Sequence, residues 1–184
     1  MKGIKNITKF LLLIVLISSC NTTNNKNDTG ISKIEKRDQM MTVISDTTPK
    51  VTGIGGIFFR LKNPKEIREW YGKNLGLAID DYGSPFEFRN ANKPEEINYL
   101  RWGPFEEKTD YFAPSEKEFM INYRVQNIEG LVKKLIENGV TIVDDIEEFE
   151  YGKFVHIMDP EDNKIELWEP IDSYFTKMGG PTTK

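Results

Sequence analysis

Two residue types that often carry chemistry occur once each in this chain, as His156 and Cys20. A single histidine excludes a metal site built from several histidines of one chain. A single cysteine excludes an intramolecular disulfide and a cysteine-rich zinc module. Residues 164–169 read as a strand, and alternation along it places Lys164, Glu166 and Trp168 on one face. The formal net charge is −4 over 184 residues, which argues against a nucleic-acid partner, since such a protein needs a basic face.

Cys20 follows a segment that is typical of an export signal. Three lysines precede an unbroken apolar run of eight residues at 10–17. Eight helical residues rise about 12 Å, against a hydrocarbon core of roughly 30 Å, so the run is a signal-peptide core rather than a membrane span. Residues 17–20 (ISSC) resemble the lipobox of bacterial lipoproteins, which implies cleavage before Cys20 and lipid on its thiol. An ordinary signal followed by an incidental thiol is the alternative.

The composition changes along the chain predict four segments. Residues 21–30 carry no apolar side chain and cannot be buried in a core. A short amphipathic helix is the alternative to a linker at 31–50. We expect a lipoprotein signal peptide at 1–19, a flexible tether at 20–50, a folded domain at 51–171 and a C-terminal tail at 172–184. The predicted location is the cell envelope, outside the cytoplasm, with the membrane as partner through the lipid on Cys20.

The folded segment contains an internal duplication. At an offset of 64, residues 60–63 (RLKN) fall on 124–127 (RVQN), and at an offset of 66, Trp102 falls on Trp168. Each copy reads as a strand, a helix and three short strands. In the first copy the strands are expected at 55–61, 77–81, 85–90 and 97–103, and the helix at 65–74. In the second copy the strands are expected at 120–125, 140–144, 152–158 and 164–169, and the helix at 128–137. The predicted fold is α+β, with tandem βαβββ modules.

Three short motifs occur in the order of a known superfamily. They are residues 55–59 (GGIFF), Trp70-Tyr71 ahead of 75–77 (LGL), and 159–168 (DPEDNKIELW). They resemble the vicinal oxygen chelate superfamily, which includes glyoxalase I, bleomycin- and fosfomycin-resistance proteins and extradiol dioxygenases. The resemblance implies half-barrels that enclose a cavity. Residues 109–112 (TDYF) and 165–170 resemble a bacterial subgroup without a settled reaction.

The resemblance also implies where a metal would be held. Metal enzymes of this superfamily place one ligand on the first and last strands of each module. The corresponding positions are Gly56, Leu100 (or, in another alignment, Ile97), Met120 and Glu166. Because Glu166 alone offers a donor for a divalent cation, we expect neither a catalytic metal nor another cofactor. A rewired metal centre that uses His156, Glu166 and a nearby asparagine is the alternative.

Strand alternation then predicts the lining of the cavity. His156, Asn122 and Glu166 are expected to provide polar contacts to a ligand, with Phe58, Trp102 and Trp168 as an aromatic wall. Each residue also has a plain structural interpretation. His156 could be a strand residue without a role, Glu166 could pair with Arg60 or Arg124, and the two tryptophans could fill the barrel. The acidic run at 144–150 is expected to be a solvated loop or edge rather than a calcium site.

Three function classes remain open. The leading hypothesis is a non-catalytic module that binds a small organic molecule at the cell surface. The alternative is a metal-dependent glyoxalase-like lyase or isomerase, or a ring-cleaving dioxygenase. The third is a scaffold that uses the fold to bind a protein or to form a homodimer.

Overall fold

The computed structural model describes residues 46–184. The predictions on Cys20, the signal peptide and residues 20–45 of the tether therefore lie outside the described residues. Among the helices that are described, none has the length and apolar character to cross a membrane.

The described chain forms one eight-stranded sheet with three helices. The strands run in the order β2-β3-β1-β4-β8-β7-β5, and β6 pairs with β7. The first module contains β1 (Lys50–Leu61), α1 (Pro64–Leu75), β2 (Ser84–Arg89) and β3 (Ile97–Glu106). The second contains β4 (Phe119–Gln126), α2 (Ile128–Glu137), β5 (Thr141–Ile142), β6 (Glu147–Phe149), β7 (Gly152–Met158) and β8 (Lys164–Pro170). A further helix, α3 (Asp172–Met178), follows β8.

This architecture confirms the predicted α+β fold and shows where the two copies differ. The strand expected at 77–81 is reduced to one isolated bridge between Asp80 and Gly83. Both predicted helices are present. Each begins at an asparagine whose side chain bonds to a backbone amide three residues further along the chain. The Asn63 side chain accepts a hydrogen bond from the amide of Glu66 at 3.3 Å, and Asn127 accepts one from Gly130 at 3.1 Å.

The two modules meet along β1 and β4, which pair antiparallel. Ile57 lies opposite Ile121, and these residues are separated by the same 64 positions as the duplicated segments. A local twofold axis therefore passes through this pair, and it makes Gly56 equivalent to Met120.

The last strands of the two modules follow a different offset from the one the sequence predicts. In the first module, Trp102 of β3 pairs with Ile57 of β1. In the second module, Ile165 of β8 pairs with Ile121 of β4. Trp102 is therefore equivalent to Ile165 rather than to Trp168, and Glu166 is equivalent to Gly103 rather than to Leu100 or Ile97. The structure thus shifts the alignment of β3 with β8 by three residues. Because side chains alternate between the two faces of a strand, an odd shift assigns every side chain to the opposite face.

The sheet has two distinct faces. Helices α1 and α2 cover the outer face, where Ile128 and Leu131 of α2 pack on Val125, Val155 and Leu167. On the inner face, Phe58, Phe112 and Met120 form a second buried cluster with Phe105 against it.

Residues 172–184, expected to be a tail, instead pack on the sheet. Helix α3 lies on the inner face, where the Phe175 ring contacts the rings of Tyr99 at 5.4 Å and Trp168 at 5.8 Å. Asp172, at its start, accepts hydrogen bonds from Asn98 at 2.9 Å and from Arg124.

Candidate functional site

Glu166 is the centre of a buried polar cluster on the inner face. Only 2% of this residue is exposed. Its Oε1 accepts a hydrogen bond from Asn122 Nδ2 at 2.5 Å, while its Oε2 accepts one from the Tyr111 hydroxyl and lies 3.2 Å from His156 Nε2. The structure thus brings together the three polar residues that alternation predicts on one face. Neither Arg60 nor Arg124, the two partners considered for Glu166, takes part in this cluster.

Asn122 is held in a single orientation by its neighbours. Its amide nitrogen points to Glu166, so its Oδ1 is left without a hydrogen-bond partner among residues 46–184. This oxygen lies against Gly55, where an added Cβ would stand 2.0 Å from it. Glycine at this position is therefore what permits the asparagine to reach the carboxylate.

His156 lies between two carboxylates. Its Nδ1 is 2.6 Å from Asp144 Oδ2, its backbone amide donates to Asp144 Oδ1 at 2.7 Å, and its Nε2 faces Glu166. A neutral imidazole carries one N–H, so it can donate to one carboxylate only. Satisfying both contacts requires one further proton, either on His156 as the imidazolium or on Glu166 as the acid. The cluster can therefore hold an exchangeable proton.

The acidic run at 144–150 is exposed along β6, in agreement with the expected solvated loop or edge, and its first residue, Asp144, also contacts the polar cluster. Its carboxylate turns inward to His156, and Glu147–Phe149 forms β6 against β7. A run of acids gives no sequence signal for which carboxylate turns inward, because that depends on the pairing of β5 and β6 with β7.

Tyr111 is a member of the polar cluster that the sequence does not predict. It lies in the loop between β3 and β4, where strand periodicity cannot assign a face. Its ring stacks on Phe105, with centroids 5.3 Å apart and planes 3° from parallel, and meets the His156 ring edge-on at 5.5 Å. Burial and the nearby Glu166 carboxylate raise the pKa of Tyr111, so the phenol stays protonated and remains a donor. The only sequence signal was its place in the TDYF segment.

Lys164 is a buried cation beside the cluster. It is 6% exposed, and its Nζ donates to the Tyr111 carbonyl oxygen at 2.8 Å. Burial lowers the pKa of Lys164, although Asp144, Glu166 and Asp110 act in the opposite direction. The ammonium group thus anchors the backbone of Tyr111 and balances part of the negative charge.

The three aromatic residues predicted as a wall occupy different places. Phe58 is buried among Met120, Phe112 and Phe105. Trp168 lies on the inner face but is covered, since Phe154 stacks on it at 5.8 Å and the Arg124 guanidinium lies 5.2 Å from its ring.

Trp102 lies on the other face of the sheet, against Tyr71 of α1 at 4.6 Å. The structure therefore does not bring Trp102 to the polar cluster. Its position follows from the shift of three residues between β3 and β8.

The residues at the metal positions of the resemblance do not fit a divalent cation. Gly56 and Gly103 have no side chain, and the Phe58 ring fills the space beside both. A Cβ added to Gly56 would stand 2.6 Å from Phe58 Cζ, and one added to Gly103 would stand 2.8 Å from Phe58 Cδ1. Met120 is completely buried, and Glu166 is engaged by three side chains. Within residues 46–184, no group of three His, Cys, Asp or Glu side chains is arranged to hold a metal ion.

An open space lies on the far side of α3 from the Glu166 cluster. It is a cavity of about 320 Å³ between β2, β3 and residues 175–182, lined by Tyr99, Phe175 and an ion pair of Arg101 with Asp80. Because Phe175 touches both Tyr99 and Trp168, α3 separates this cavity from the Glu166 cluster.

Comparisons with known proteins give the fold. A scan against protein-family models found no match, and a search of curated proteins found none. Among solved structures, a variant of Streptomyces coelicolor methylmalonyl-CoA epimerase in complex with 2-nitronate-propionyl-CoA matches with a TM-score of 0.50 and 11% identity, over 66% of this chain and 99% of the epimerase.

Two other solved structures show weaker similarity. Mycobacterium tuberculosis methylmalonyl-CoA epimerase has a TM-score of 0.43 and 19% identity, over 67% of this chain and 91% of that one. A glyoxalase/bleomycin resistance protein/dioxygenase superfamily member from Vibrio splendidus 12B01 has a TM-score of 0.40 and 13% identity, over 66% and 99%. The similarity to the Streptomyces coelicolor epimerase therefore shows the fold alone, an α+β fold with one mixed sheet.

Proposed function

We propose that this chain binds a small organic molecule on the inner face of its sheet, without a divalent metal. The observation that carries the proposal is the Glu166 carboxylate, which is buried but engaged by side chains that can exchange for a ligand. Burying a carboxylate is costly unless other groups hydrogen-bond to it, and here Tyr111, Asn122 and His156 contact it. Glu166, His156 and Asn122 provide the polar contacts.

The apolar part of the ligand contact comes from the rings around Tyr111. Phe105 and Tyr111 are partly exposed beside the polar cluster, whereas Phe58 and Trp168 are covered by protein. The ligand that fits this arrangement is therefore aromatic or alicyclic at the end that meets Glu166. A pocket with one apolar wall and a few convergent polar groups is typical of small-molecule sites.

We further propose that the protein acts at the cell envelope, held by lipid on Cys20. The support is the order of a cationic start, a short apolar run, small residues and a cysteine. An extracytoplasmic location favours capture of a compound from outside the cell over a lyase that depends on a cytoplasmic cofactor.

The test is a ligand screen on the purified full chain. A ligand that binds the folded state raises the temperature of unfolding by mass action, so thermal shift across a library of small organic compounds identifies candidates. The proposal holds if at least one compound stabilises the wild type and loses this effect in Glu166→Gln. Compounds that stabilise the wild type and Glu166→Gln equally would move the binding site elsewhere, with the cavity beside α3 as the next place to examine. A screen in which no compound gives a Glu166-dependent shift would contradict it.

A further inference from the structure

Tyr111 occupies a complete binding subsite formed by other residues. One face of its ring is covered by Phe105, its edge meets His156, and the Lys164 ammonium lies 5.4 Å from the ring centroid. Its hydroxyl donates to the buried Glu166 carboxylate. An aromatic wall, a cation near the ring and a carboxylate at the hydroxyl position together describe a site for a phenol.

The Tyr111 side chain can leave this subsite without disturbing the loop that carries it. The following residue, Phe112, is completely buried, and Lys164 holds the Tyr111 carbonyl. Arg60 donates to the carbonyls of Thr109 at 3.5 Å and Ser115 at 3.4 Å. These contacts hold backbone or neighbouring residues and none requires the phenol ring.

Solvent reaches the same ring. Tyr111 is 38% exposed, whereas the residues it covers, Glu166 and His156, are 2% and 7% exposed. Rotation of one side chain about its Cα–Cβ bond would therefore open the polar cluster.

We propose that Tyr111 is an internal occupant of the ligand subsite, displaced on binding, and that the ligand that replaces it is a phenol, an aromatic ring with a hydroxyl group. This inference rests on the proposed function, because it names the class of ligand for the same site. The hydroxyl is required as a donor to Glu166. An anionic group at that position is excluded by its repulsion from Glu166 and Asp144. The ligand also needs an aromatic ring, because the ring must replace the stacking of Tyr111 on Phe105.

The experiment removes the Tyr111 side chain by mutation and adds the same group of atoms as a free small molecule. Tyr111→Gly removes the atoms of p-cresol, so p-cresol is the probe, and toluene, which lacks only the hydroxyl, is its matched control. Binding to the purified full chain is measured by titration calorimetry, after the variant has been shown to unfold cooperatively. Tyr111→Ala with phenol and benzene is the second pair, in case the glycine variant does not fold.

We expect p-cresol to bind Tyr111→Gly at least tenfold more tightly than toluene does. A site built to bond a hydroxyl discriminates against the analogue that lacks it. The preference should disappear in the double variant Tyr111→Gly, Glu166→Ala, which has no acceptor for the hydroxyl. Wild type should bind p-cresol at least tenfold more weakly than Tyr111→Gly, since its own ring competes. Tyr111→Phe, which keeps the ring but loses the bond to Glu166, should bind p-cresol more tightly than wild type and more weakly than Tyr111→Gly.

Three outcomes would overturn the inference. Equal binding of p-cresol and toluene would show a plain apolar void. No binding to either folded variant would show that no subsite exists. A wild type that does not bind p-cresol at any soluble concentration would show that Tyr111 is a fixed wall. If the compound screen finds a Glu166-dependent ligand without a phenol, this inference fails while the proposed function stands.

Discussion

The ring of Phe58 fills the space beside Gly103, where an added Cβ would stand 2.8 Å from Phe58 Cδ1. Gly103 is the position in the first module that corresponds to Glu166 in the second. One module therefore keeps a carboxylate at this place, and the other keeps a glycine with a neighbouring phenylalanine ring over it. The two halves of the duplication have opposite interiors, one apolar and one polar.

This packing gives a stability prediction. Phe58→Ala should lower the free energy of unfolding by about 3–5 kcal/mol, because it leaves a cavity in the inner cluster. Gly103→Ala should cost about 1–3 kcal/mol through crowding. The cost of Gly103→Ala should fall close to zero when Phe58 is already alanine, as a double-mutant cycle in urea would show. Phe149→Ala, at an exposed position, is the control. Additive costs would show that the two positions do not share the space.

The metal content of the purified chain should be far below one ion per chain. The four positions offer one carboxylate, Glu166, and a single carboxylate leaves a divalent cation largely hydrated and weakly bound. Elemental mass spectrometry of protein dialysed without chelator measures this. Near-stoichiometric zinc, nickel, manganese or iron that is lost in Glu166→Ala would restore the metal-enzyme alternative.

For any ligand found in the screen, Glu166→Ala combined with His156→Ala should reduce affinity roughly 5- to 150-fold. The physical reason is the loss of buried hydrogen-bond partners, at about 1–3 kcal/mol. Titration calorimetry measures the change. Glu161→Ala, which removes an exposed carboxylate from the turn before β8, serves as the matched control and should bind normally. Unchanged affinity in the double variant would show that the ligand binds elsewhere.

Because of Tyr111, the free energy of unfolding should decrease as the pH rises above about 10. Its folded-state pKa is raised above the ordinary value of 10.0, so the folded protein keeps a proton that the unfolded chain releases. The resulting contribution is fully present below about pH 10 and is lost as the pH rises above it. The stability difference between wild type and Tyr111→Phe should therefore be constant from pH 7 to 9 and then shrink.

Urea unfolding at each pH measures this difference. Tyr82→Phe, at a position that is 78% exposed, should show no such trend. A Tyr111→Phe difference that is constant up to pH 11 would show that the phenol does not contact the carboxylate in solution.

Cys20→Ala should release the protein from membranes into the soluble fraction. The prediction follows from the proposed lipoprotein signal, in which the Cys20 thiol would carry the lipid. Membrane fractionation, with mass spectrometry of the mature N-terminus, checks it. Unaltered processing and membrane partition in Cys20→Ala would contradict lipidation at this residue.

The parts of this structure that the sequence predicts are those set by local chemistry. The two helices begin at Asn63 and Asn127, whose side chains cap them, and alternation along β7 and β8 places His156 beside Glu166. The predictions that are wrong or missing concern residues whose positions depend on contacts with parts of the chain that are distant in sequence. Trp102 was placed by aligning the two copies, and an error of three residues put it on the wrong face. Tyr111 and Asp144 lie outside regular strands, so no periodicity reports where their side chains point.

The residues after α3 have a consequence for how the protein behaves in concentrated solution. Strand β2 is an edge of the sheet, and Thr183 bonds along it, donating to the Pro85 carbonyl at 2.8 Å and accepting from the Glu87 amide at 3.0 Å. Open strand edges recruit other chains and seed aggregation. The short bridge at Thr183 occupies part of that edge, so deleting it, or pulling it away with a fused tag, would be expected to make the protein self-associate.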